Sequence, residues 1–499
     1  MKMTIRSSSK SGEVCSLVQQ VMIQVALFAL ALSVLLTAQT TASTSTEERR
    51  PNIVFILSDD HRWDQLGCAG HAILKTPNLD ALAARGTRFA NAYVTTPICA
   101  ASRASILTGL YERTHGYTFR TRPLASKHCD RSYPQLLRDR GYRTGFVGKF
   151  GVGVPAGTTK QWFDEFKPLS RTPYIKERPD GSKRHVAEIT GDVAIDFLSR
   201  QSKDRPFALS ISFNAPHAED GDKDNPYPCP EAMRGMYDDV DIPGPSLSSP
   251  EIFEAHPDFL KKSFNRQRFF WRWDSPEKYE KNLRAYYRLL SGVDRVVGRV
   301  LTSLEELGLS DDTIIIFCGD NGYYMGQRGF AGKWSHYQES LRVPMIICDP
   351  RVAASLRGQV EQRIALNVDL PATMLDFAGV SLPAEYQGAS LKRFVHGVDV
   401  DSWRQDFFCE HLMHVDNDGI PKWEGVTSAR WTYARYFEQT PVYEYLHDLE
   451  SDPNQLVNLA HDAAHAEQLE VMRRRCTHLR DAYGGVYSQE KYPLAGTKN

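Results

Sequence analysis

Residues 51–60 read Pro-Asn-Ile-Val-Phe-Ile-Leu-Ser-Asp-Asp, in which the continuous apolar run over 53–57 is followed by Ser58 and two adjacent carboxylates. Apolar, β-branched runs of this length are typical of strands buried on both faces of a sheet. Similar runs occur at 144–147, 207–213 and 313–317, and helical spacing of apolar residues occurs at 79–90 and 286–307. Strands that alternate with helices predict an α/β fold with a large, mostly parallel sheet covered by helices on both sides.

The N-terminus predicts export. Lys2, Arg6 and Lys10 precede an apolar run over 25–36, and small residues follow, so residues 1–42 are expected to be a signal peptide. The run is shorter than the about 20 residues that a membrane span requires, so we expect a periplasmic or secreted protein without stable membrane association. An uncleaved N-terminal anchor is the alternative. The net charge of −1 gives no argument for a nucleic-acid partner.

The sequence pattern changes near residue 400. Residues 426–436 and 443–449 resemble short antiparallel strands, and 464–483 has the spacing of an amphipathic helix. We therefore predict a main domain over 48–400 and a smaller C-terminal α+β subdomain over 401–490 that contains an antiparallel sheet. Residues 220–250, rich in Pro, Asp and Gly, form a long predicted surface segment, and loops of that length are often functional.

Two predicted strands end in pairs of oxygen-bearing side chains. Asp59 and Asp60 end the first strand, and Asp320 and Asn321 end the strand that begins near residue 313. Adjacent carboxylates repel each other unless a cation neutralises them, and carboxylate and amide oxygens suit Ca²⁺ or Mg²⁺. Since ligands gather beyond the carboxyl ends of parallel strands, these four residues predict a divalent-cation site. For Asp59 and Asp60 alone, a solvated turn is the alternative.

Cys99 begins the run Cys-Ala-Ala-Ser-Arg-Ala-Ser-Ile-Leu-Thr-Gly over 99–109, whose apolar positions predict a helix. A group at a helix start lies near free backbone N–H groups and the positive end of the helix dipole, so an anion can be held there. A single cysteine before a helix is usually a small buried apolar side chain. Cys99 alone therefore leaves both interpretations open.

Several basic side chains follow strand ends or stand beside glycine, where an anionic substrate would need them. They are Arg103, four residues after Cys99; Lys149 in Gly-Phe-Val-Gly-Lys; and Lys333 in Phe-Ala-Gly-Lys-Trp. Two histidines are candidates for proton transfer near neutral pH, His217 in Asn-Ala-Pro-His and His115 in Glu-Arg-Thr-His-Gly. Taken singly, each residue also fits a solvated charge or a structural histidine.

The run from Cys99 resembles the sulfatase signature, in which Cys or Ser is followed by x-Pro-Ser-Arg and a Leu-Thr-Gly tail. Related strings extend the resemblance over 51–458. It implies an alkaline-phosphatase-like fold and an enzyme that hydrolyses sulfate esters. It also implies that a maturation enzyme oxidises Cys99 to formylglycine. Asp59, Asp60, Asp320 and Asn321, with the modified Cys99, would then hold Ca²⁺, with Mg²⁺ the less favoured ion.

The resemblance also implies roles for the basic residues. Arg103 would steady the nucleophile, Lys149 and Lys333 would bind the sulfate, and His217 would act with Lys333 on the departing alcohol. His115 would lie on the substrate side. The hydrated aldehyde would attack sulfur and release the alcohol, and the covalent sulfated intermediate would then lose sulfate.

Two positions depart from the family pattern. Ala101 stands where the signature usually has Pro, and Gly151 stands where Gly-Lys-Trp-His has its histidine. The missing histidine is thought to take a proton during sulfate release, so another base would be needed. His115 is the first candidate, and His61 and His336 are weaker ones.

Three functions remain open at this level. The favoured one is hydrolysis of a sulfate ester on a small molecule or glycan. Because we expect the enzyme to be exported, a sulfated carbohydrate is the favoured substrate class. The second is a phosphonate or phosphate ester hydrolase of the same fold. The third is a sulfoglycan-binding homologue whose catalysis is weakened by Gly151. With Cys15 in the signal peptide and Cys99 modified, seven of the nine cysteines remain, and an odd number leaves at least one unpaired in a monomer.

Overall fold

The computed structural model describes residues 19–26, 50–414 and 419–495. Contacts group the chain into two units, Met1–Arg49 and Arg50–Asn499. In the first unit, 19–26 are helical (α1), and the rest of the predicted signal peptide lies outside the described residues. Among the described residues, every helix is too short or too polar to cross a bilayer.

An eight-stranded sheet forms the centre of the second unit. Numbered in chain order, its strands lie in the spatial order β13 (Gln359–Glu361), β2 (Thr87–Phe89), β12 (Met345–Cys348), β9 (Thr313–Gly319), β1 (Asn52–Ser58), β8 (Phe207–Ser212), β4 (Arg143–Gly148) and β5 (Glu165–Pro168). The five neighbours from β9 to β5 are parallel, and β12 runs antiparallel to both of its neighbours. The prediction of a large, mostly parallel sheet is confirmed.

Helices cover both faces of this sheet. Successive side chains of β1 therefore lie in two different hydrophobic cores, one on each face. Phe55 and Leu57 belong to one core, and Val54 and Ile56 belong to the other. The helices are α2 (Pro77–Arg85), α3 (Cys99–Thr108), α4 (Glu112–His115), α5 (Ser126–Cys129), α6 (Tyr133–Asp139), α7 (Thr158–Trp162), α8 (Val186–Ser199), α9 (Pro250–Glu254), α10 (Asp258–Lys261), α11 (Phe264–Arg272), α12 (Pro276–Glu306), α13 (Gln338–Leu341), α14 (Asp369–Phe377), α15 (Lys392–Val395) and α16 (Ala466–Ala482).

The helix predicted over 79–90 is only partly right. It ends at Arg85, and the next residues join the sheet as β2. Gly86 marks the change, because a Cβ there would lie 2.5 Å from the carbonyl oxygen of Ile347 in β12. Tertiary pairing with β12 therefore overrides the helical spacing of the apolar residues.

The C-terminal region contains the predicted antiparallel sheet. It consists of β15 (Asp406–His411), β16 (Trp423–Ser428), β17 (Trp431–Tyr436) and β18 (Tyr443–Asp448), and α16 packs on it. Three pairs of short strands complete the structure: β3 (Ala92–Tyr93) with β14 (Ala365–Leu366), β6 (Ile175–Glu177) with β7 (Lys183–His185), and β10 (Tyr324–Met325) with β11 (Ala331–Gly332). The subdomain boundary near residue 400 stays a prediction.

Candidate active site

The register of four neighbouring strands brings the candidate residues to one edge of the sheet. Ser58 of β1 is paired with Gly319 of β9, so Asp59–Asp60 and Asp320–Asn321 leave the sheet side by side. Gly148 of β4 is paired with Ser212 of β8, so Lys149 and the segment that leads to His217 leave at the same level. The site thus lies beyond the carboxyl ends of parallel strands, as in other open α/β sheets.

Three buried oxygens at this edge are left without a hydrogen-bond partner among the described residues. They are Oδ1 of Asp59, Oδ2 of Asp60 and Oδ1 of Asn321. Buried polar atoms are nearly always hydrogen-bonded, so three converging acceptors without donors call for a positively charged ligand. Oxygen donors of this kind fit Ca²⁺ or Mg²⁺.

Cys99 adjoins these carboxylates at the first turn of α3, and its side chain is buried. One ligand atom from each of Asp59, Cys99 and Asp320 lies within 4.8 Å of the others, and the same holds for Asp59, Asp60 and His217. The described structure therefore brings the predicted nucleophile position and the predicted metal ligands into one cluster. The helix start adds free N–H groups on the same side.

Arg103 is fixed by three different elements. Its Nε donates to Oδ2 of Asp320 at 2.8 Å, and its Nη1 lies 2.6 Å from the carbonyl oxygen of Lys149 and 2.5 Å from Oγ of Ser212. Its Nη2 lies 4.0 Å from Asp59 and has no hydrogen-bond partner among the described residues. One donor of this buried guanidinium is therefore available to an anion at the site.

The two lysines form ion pairs with the paired carboxylates. Lys149 Nζ contacts Asp59, and Lys333 Nζ contacts Asp60. Burial alone would lower the pKa of Lys333, but the charge of Asp60 raises it above its usual value, so the ammonium keeps its proton. Burial likewise opposes ionisation of Asp59, yet the charges of Lys149 and its cationic neighbours hold the pKa of that carboxyl well below its usual range.

The pKa of Asp320 is shifted in the opposite direction from that of Asp59. Burial and the charge of Asp59 raise the pKa of Asp320 to about 6, although Arg103 opposes this. Its Oδ1 also accepts the backbone N–H of Asp60 at 3.1 Å. Asp60 adopts a left-handed backbone conformation with φ of 60°, which aspartate tolerates better than most residues. A strained residue held by its neighbours is typical of functional sites.

His217 presents one ring nitrogen to the site. Its Nδ1 lies 2.7 Å from the carbonyl oxygen of Ala218, so Nδ1 must carry the proton that is donated there. Its Nε2 lies 3.7 Å from Oδ2 of Asp60. Burial lowers the pKa of His217 to about 3, against the opposite effect of Asp60, so the ring is neutral with Nε2 unprotonated.

His115 contacts α3, and both of its ring nitrogens have hydrogen-bond partners. Its Nε2 lies 3.1 Å from Oγ of Ser105, and its Nδ1 accepts the backbone N–H of Tyr117 at 3.1 Å. Burial lowers the pKa of His115 to about 3. These contacts connect α3 to the segment after α4. Of the weaker candidates, His61 contacts Ser58 and Gln65. His336 packs among aromatic rings of β17 and β18, with Nδ1 3.0 Å from the hydroxyl of Tyr436 and Nε2 without a hydrogen-bond partner among the described residues.

Gly151, the predicted counterpart of the family's histidine, lies beside Arg103 and Lys149. Its φ is 71°, and a Cβ there would lie 3.1 Å from Cδ of Arg103 and 3.6 Å from Cε of Lys149. Position 151 therefore does border the site, but its backbone conformation disfavours any side chain.

Two further residues support the site and were not predicted from the sequence. Ser212 accepts from Arg103, and its only sequence signal is its place at the end of β8. Tyr286, in the middle of α12, donates from its hydroxyl to the carbonyl oxygen of Asp60 at 2.7 Å. Nothing local distinguishes Tyr286 from the other apolar positions of that helix. The eight described cysteines form no disulfide.

Comparison with known proteins finds sulfatases among the matches. A sulfatase family model matches residues 51–380, and the model for the N-sulphoglucosamine sulphohydrolase C-terminal region matches 326–482. The chain is 27% identical over 496 residues to an N-acetylglucosamine-6-O-sulfatase of Bacteroides thetaiotaomicron, with 86% of each chain covered.

Two solved structures share the fold. One is a protein in complex with its substrate D-glucosamine-2-N,6-O-disulfate (TM-score 0.73, 24% identity, 87% of this chain and 98% of that one). The other is a phosphonate monoester hydrolase of Agrobacterium radiobacter (TM-score 0.74, 24% identity, 87% and 96%).

Fold and matches together define a hydrolase of the alkaline-phosphatase-like architecture, with its candidate site at the carboxyl edge of the sheet. Within that class, the chain belongs to the sulfatase family, and it is a sulfuric ester hydrolase.

Proposed function

We propose that the protein hydrolyses sulfate esters of a sulfated carbohydrate with a formylglycine made from Cys99 and a bound Ca²⁺. The observation that carries this proposal is the set of unpartnered buried oxygens of Asp59, Asp60 and Asn321 beside Cys99 and Asp320. When present, the hydrated aldehyde supplies the nucleophile, and the ion supplies positive charge to the sulfate oxygens. The carboxylates and Asn321 would hold the ion.

The remaining residues would bind and orient the sulfate group. Arg103 keeps one free donor, Lys149 follows β4 and contacts Asp59, and Lys333 follows β11 and contacts Asp60. Fixed cations around the three nonbridging oxygens stabilise charge that grows in the transition state. Lys333 would give a proton to the departing alkoxide, and Nε2 of neutral His217 would accept a hydrogen bond from the alcohol so formed. Gly151 supplies no base for sulfate release.

In this proposal His115 is a positioning residue. Its two ring nitrogens contact Ser105 on α3 and Tyr117 beyond α4, which supports a role in holding the helix that begins at Cys99. The base that acts during sulfate release would then be a water molecule at the site, since the carboxylates are assigned to the ion and both oxygens of Asp320 already accept hydrogen bonds.

Mass spectrometry of the peptide that contains position 99 is the decisive experiment. After co-expression with a formylglycine-generating enzyme, we expect Cys99 to carry the aldehyde and the protein to hydrolyse 4-nitrophenyl sulfate. A Cys99→Ala variant is the matched control and should be inactive. Unmodified, inactive wild-type protein would instead favour the sulfoglycan-binding homologue.

Rates on paired esters separate the sulfatase from the phosphonate hydrolase. 4-Nitrophenyl sulfate should be hydrolysed faster than 4-nitrophenyl phosphate or a phenylphosphonate monoester. A dominant rate on either phosphorus ester would contradict the proposal. Removal of metal with a chelator should abolish turnover, and return of Ca²⁺ should restore it better than Mg²⁺.

The substrate class and location rest on relatives. The matched N-acetylglucosamine-6-O-sulfatase and a structure with bound D-glucosamine-2-N,6-O-disulfate support a sulfated sugar as substrate. An extracellular sulfatase homologue of Drosophila melanogaster is also 31% identical over 400 residues, although the alignment covers only 34% of that protein. We propose an exported enzyme, and cell fractionation tests this.

A further inference from the structure

Three arginines share a single carboxylate close to His217. Asp220 Oδ2 lies 3.0 Å from Nη2 of Arg268 and 3.4 Å from Nη2 of Arg171, and its Oδ1 lies 2.6 Å from Nη2 of Arg272. One carboxylate balances only one of these charges. We call these four residues the arginine cluster.

The cluster retains buried donors that nothing satisfies. Nε and Nη1 of Arg268 and Nε of Arg272 are buried and have no hydrogen-bond partner among the described residues. The side chains of these two arginines are only 9% and 1% exposed. Buried charge without a partner is costly, and each unmade hydrogen bond adds to the cost. An anionic ligand would supply both the opposite charge and the missing hydrogen-bond acceptors.

Aromatic rings hold Arg268 in place without consuming its donors. Its guanidinium carbon lies 5.1 Å from the ring centres of Phe264 and Trp334, and 5.8 Å from that of Trp271. Cations bind ring faces electrostatically, so the planar group is fixed while its N–H groups stay available. Lys223, an exposed cation, lies 3.3 Å from the centre of the Trp271 ring.

The cluster borders the part of the site that we assign to the departing alcohol. Nε of Arg171 donates at 3.1 Å to the carbonyl oxygen of Ala218, the same atom that His217 contacts through Nδ1. On the other side, Asn265 of α11 donates to the carbonyl oxygen of Lys333 at 2.7 Å. Asp220 is 30% exposed, so the cluster is open to solvent.

We propose that the arginine cluster is a second anion subsite, which binds another sulfate or carboxylate group of the same glycan on the leaving-group side. Guanidinium groups are suited to this because they make paired, charge-assisted hydrogen bonds with such anions. This inference rests on the proposed function and narrows the substrate to glycans with at least two anionic groups. A purely structural ion network would not discriminate among substrates.

Competition measurements test the subsite. Hydrolysis of 4-nitrophenyl sulfate, which has a single anionic group, reports the basal activity. The competitors are matched pairs that differ by one sulfate: D-glucosamine 6-O-sulfate with D-glucosamine-2-N,6-O-disulfate, and mono- with disulfated chondroitin disaccharides. In wild type, the second sulfate should lower the inhibition constant in at least one pair by roughly tenfold, the effect of one charge-assisted hydrogen bond.

Substitutions in the arginine cluster test whether these residues cause the preference for the second sulfate. Arg268→Gln should remove the preference for the second sulfate while kcat/KM for 4-nitrophenyl sulfate stays within about twofold of wild type, because a single-anion substrate does not use the subsite. Arg171→Gln, which is less buried, gives the same test if Arg268→Gln does not fold. Arg266→Gln is the control on the same helix, because Arg266 contacts Gly329 instead of Asp220.

Two results would overturn the inference: no preference in any pair for wild type, or a preference that survives in both cluster variants. Absence of all turnover would contradict the proposed function separately. In that case, calorimetric titration with the same sugar pairs still tests the subsite, because binding needs no reaction.

Discussion

Single residues decide how anions are held at this site, and Arg103 is the clearest case. It contacts Asp320, the carbonyl oxygen of Lys149 and Ser212, while Nη2 stays free. Only a planar fork of donors can make these contacts together. The sequence allowed Arg103 to be predicted from its spacing to Cys99, but not Ser212, whose role arises from the pairing of β4 with β8.

Arg103→Lys should therefore lower kcat for 4-nitrophenyl sulfate by roughly 100-fold, since at least two charge-assisted hydrogen bonds are lost. Because lysine retains the positive charge, this variant tests the arrangement of the hydrogen-bond donors separately from the charge. Steady-state kinetics on protein with confirmed formylglycine content checks this. Arg234→Lys, at an exposed position, is the control. A variant with wild-type kcat would show that charge alone suffices.

Gly151 gives a second prediction at this scale. Its φ of 71° and the 3.1 Å approach to Cδ of Arg103 mean that Gly151→Ala should reduce the free energy of unfolding by about 1 kcal/mol or more. It should also lower kcat, because Arg103 must move. Gly157→Ala, with a similar φ of 87° and open space around its Cβ, controls for backbone strain. Equal kcat values for the two variants would contradict this interpretation.

At the scale of elements, the sequence predicted what is encoded locally. The apolar runs of β1 and β9 and their terminal Asp and Asn residues predicted that the candidate metal ligands lie together, because parallel strand ends share one edge. The arginine cluster could not be found in this way. Asp220, in the segment after β8, and Arg272, at the end of α11, are 52 residues apart, and only the tertiary fold places them together. Long-range pairings of side chains leave no periodic signal.

Helix α3 supplies the prediction that belongs to this scale. His115 contacts Ser105 on α3 and the backbone of Tyr117, so His115→Gln should destabilise the protein by about 1–3 kcal/mol, as expected when a buried donor or acceptor loses its partner. The pH profile of kcat/KM should keep its shape. Denaturant unfolding and pH–rate measurements check both parts, with His128→Gln as control. Loss of one limb of the profile at unchanged stability would instead identify His115 as the base.

For the whole molecule, a buried ion network connects the main sheet region with the C-terminal sheet. Arg113 of α4 contacts Glu410 of β15 and Glu424 of β16, each at 2.7 Å, and the three side chains are almost completely buried. The N–H of Glu410 also donates to the carbonyl oxygen of Thr95. Arg50–Asn499 group as one unit by contacts. We therefore expect the regions before and after residue 400 to unfold together.

Glu410→Ala should lower the free energy of unfolding by about 3 kcal/mol or more, because it leaves part of a buried charge unpaired. Calorimetry should show one transition that moves as a whole, and activity should be lost over the same temperature range. Glu450→Ala, which removes an exposed partner of Arg430, should change stability by about 1 kcal/mol or less. If β15–β18 instead formed an independent unit, Glu410→Ala would split the transition in two, and a chain ending at residue 400 would retain activity.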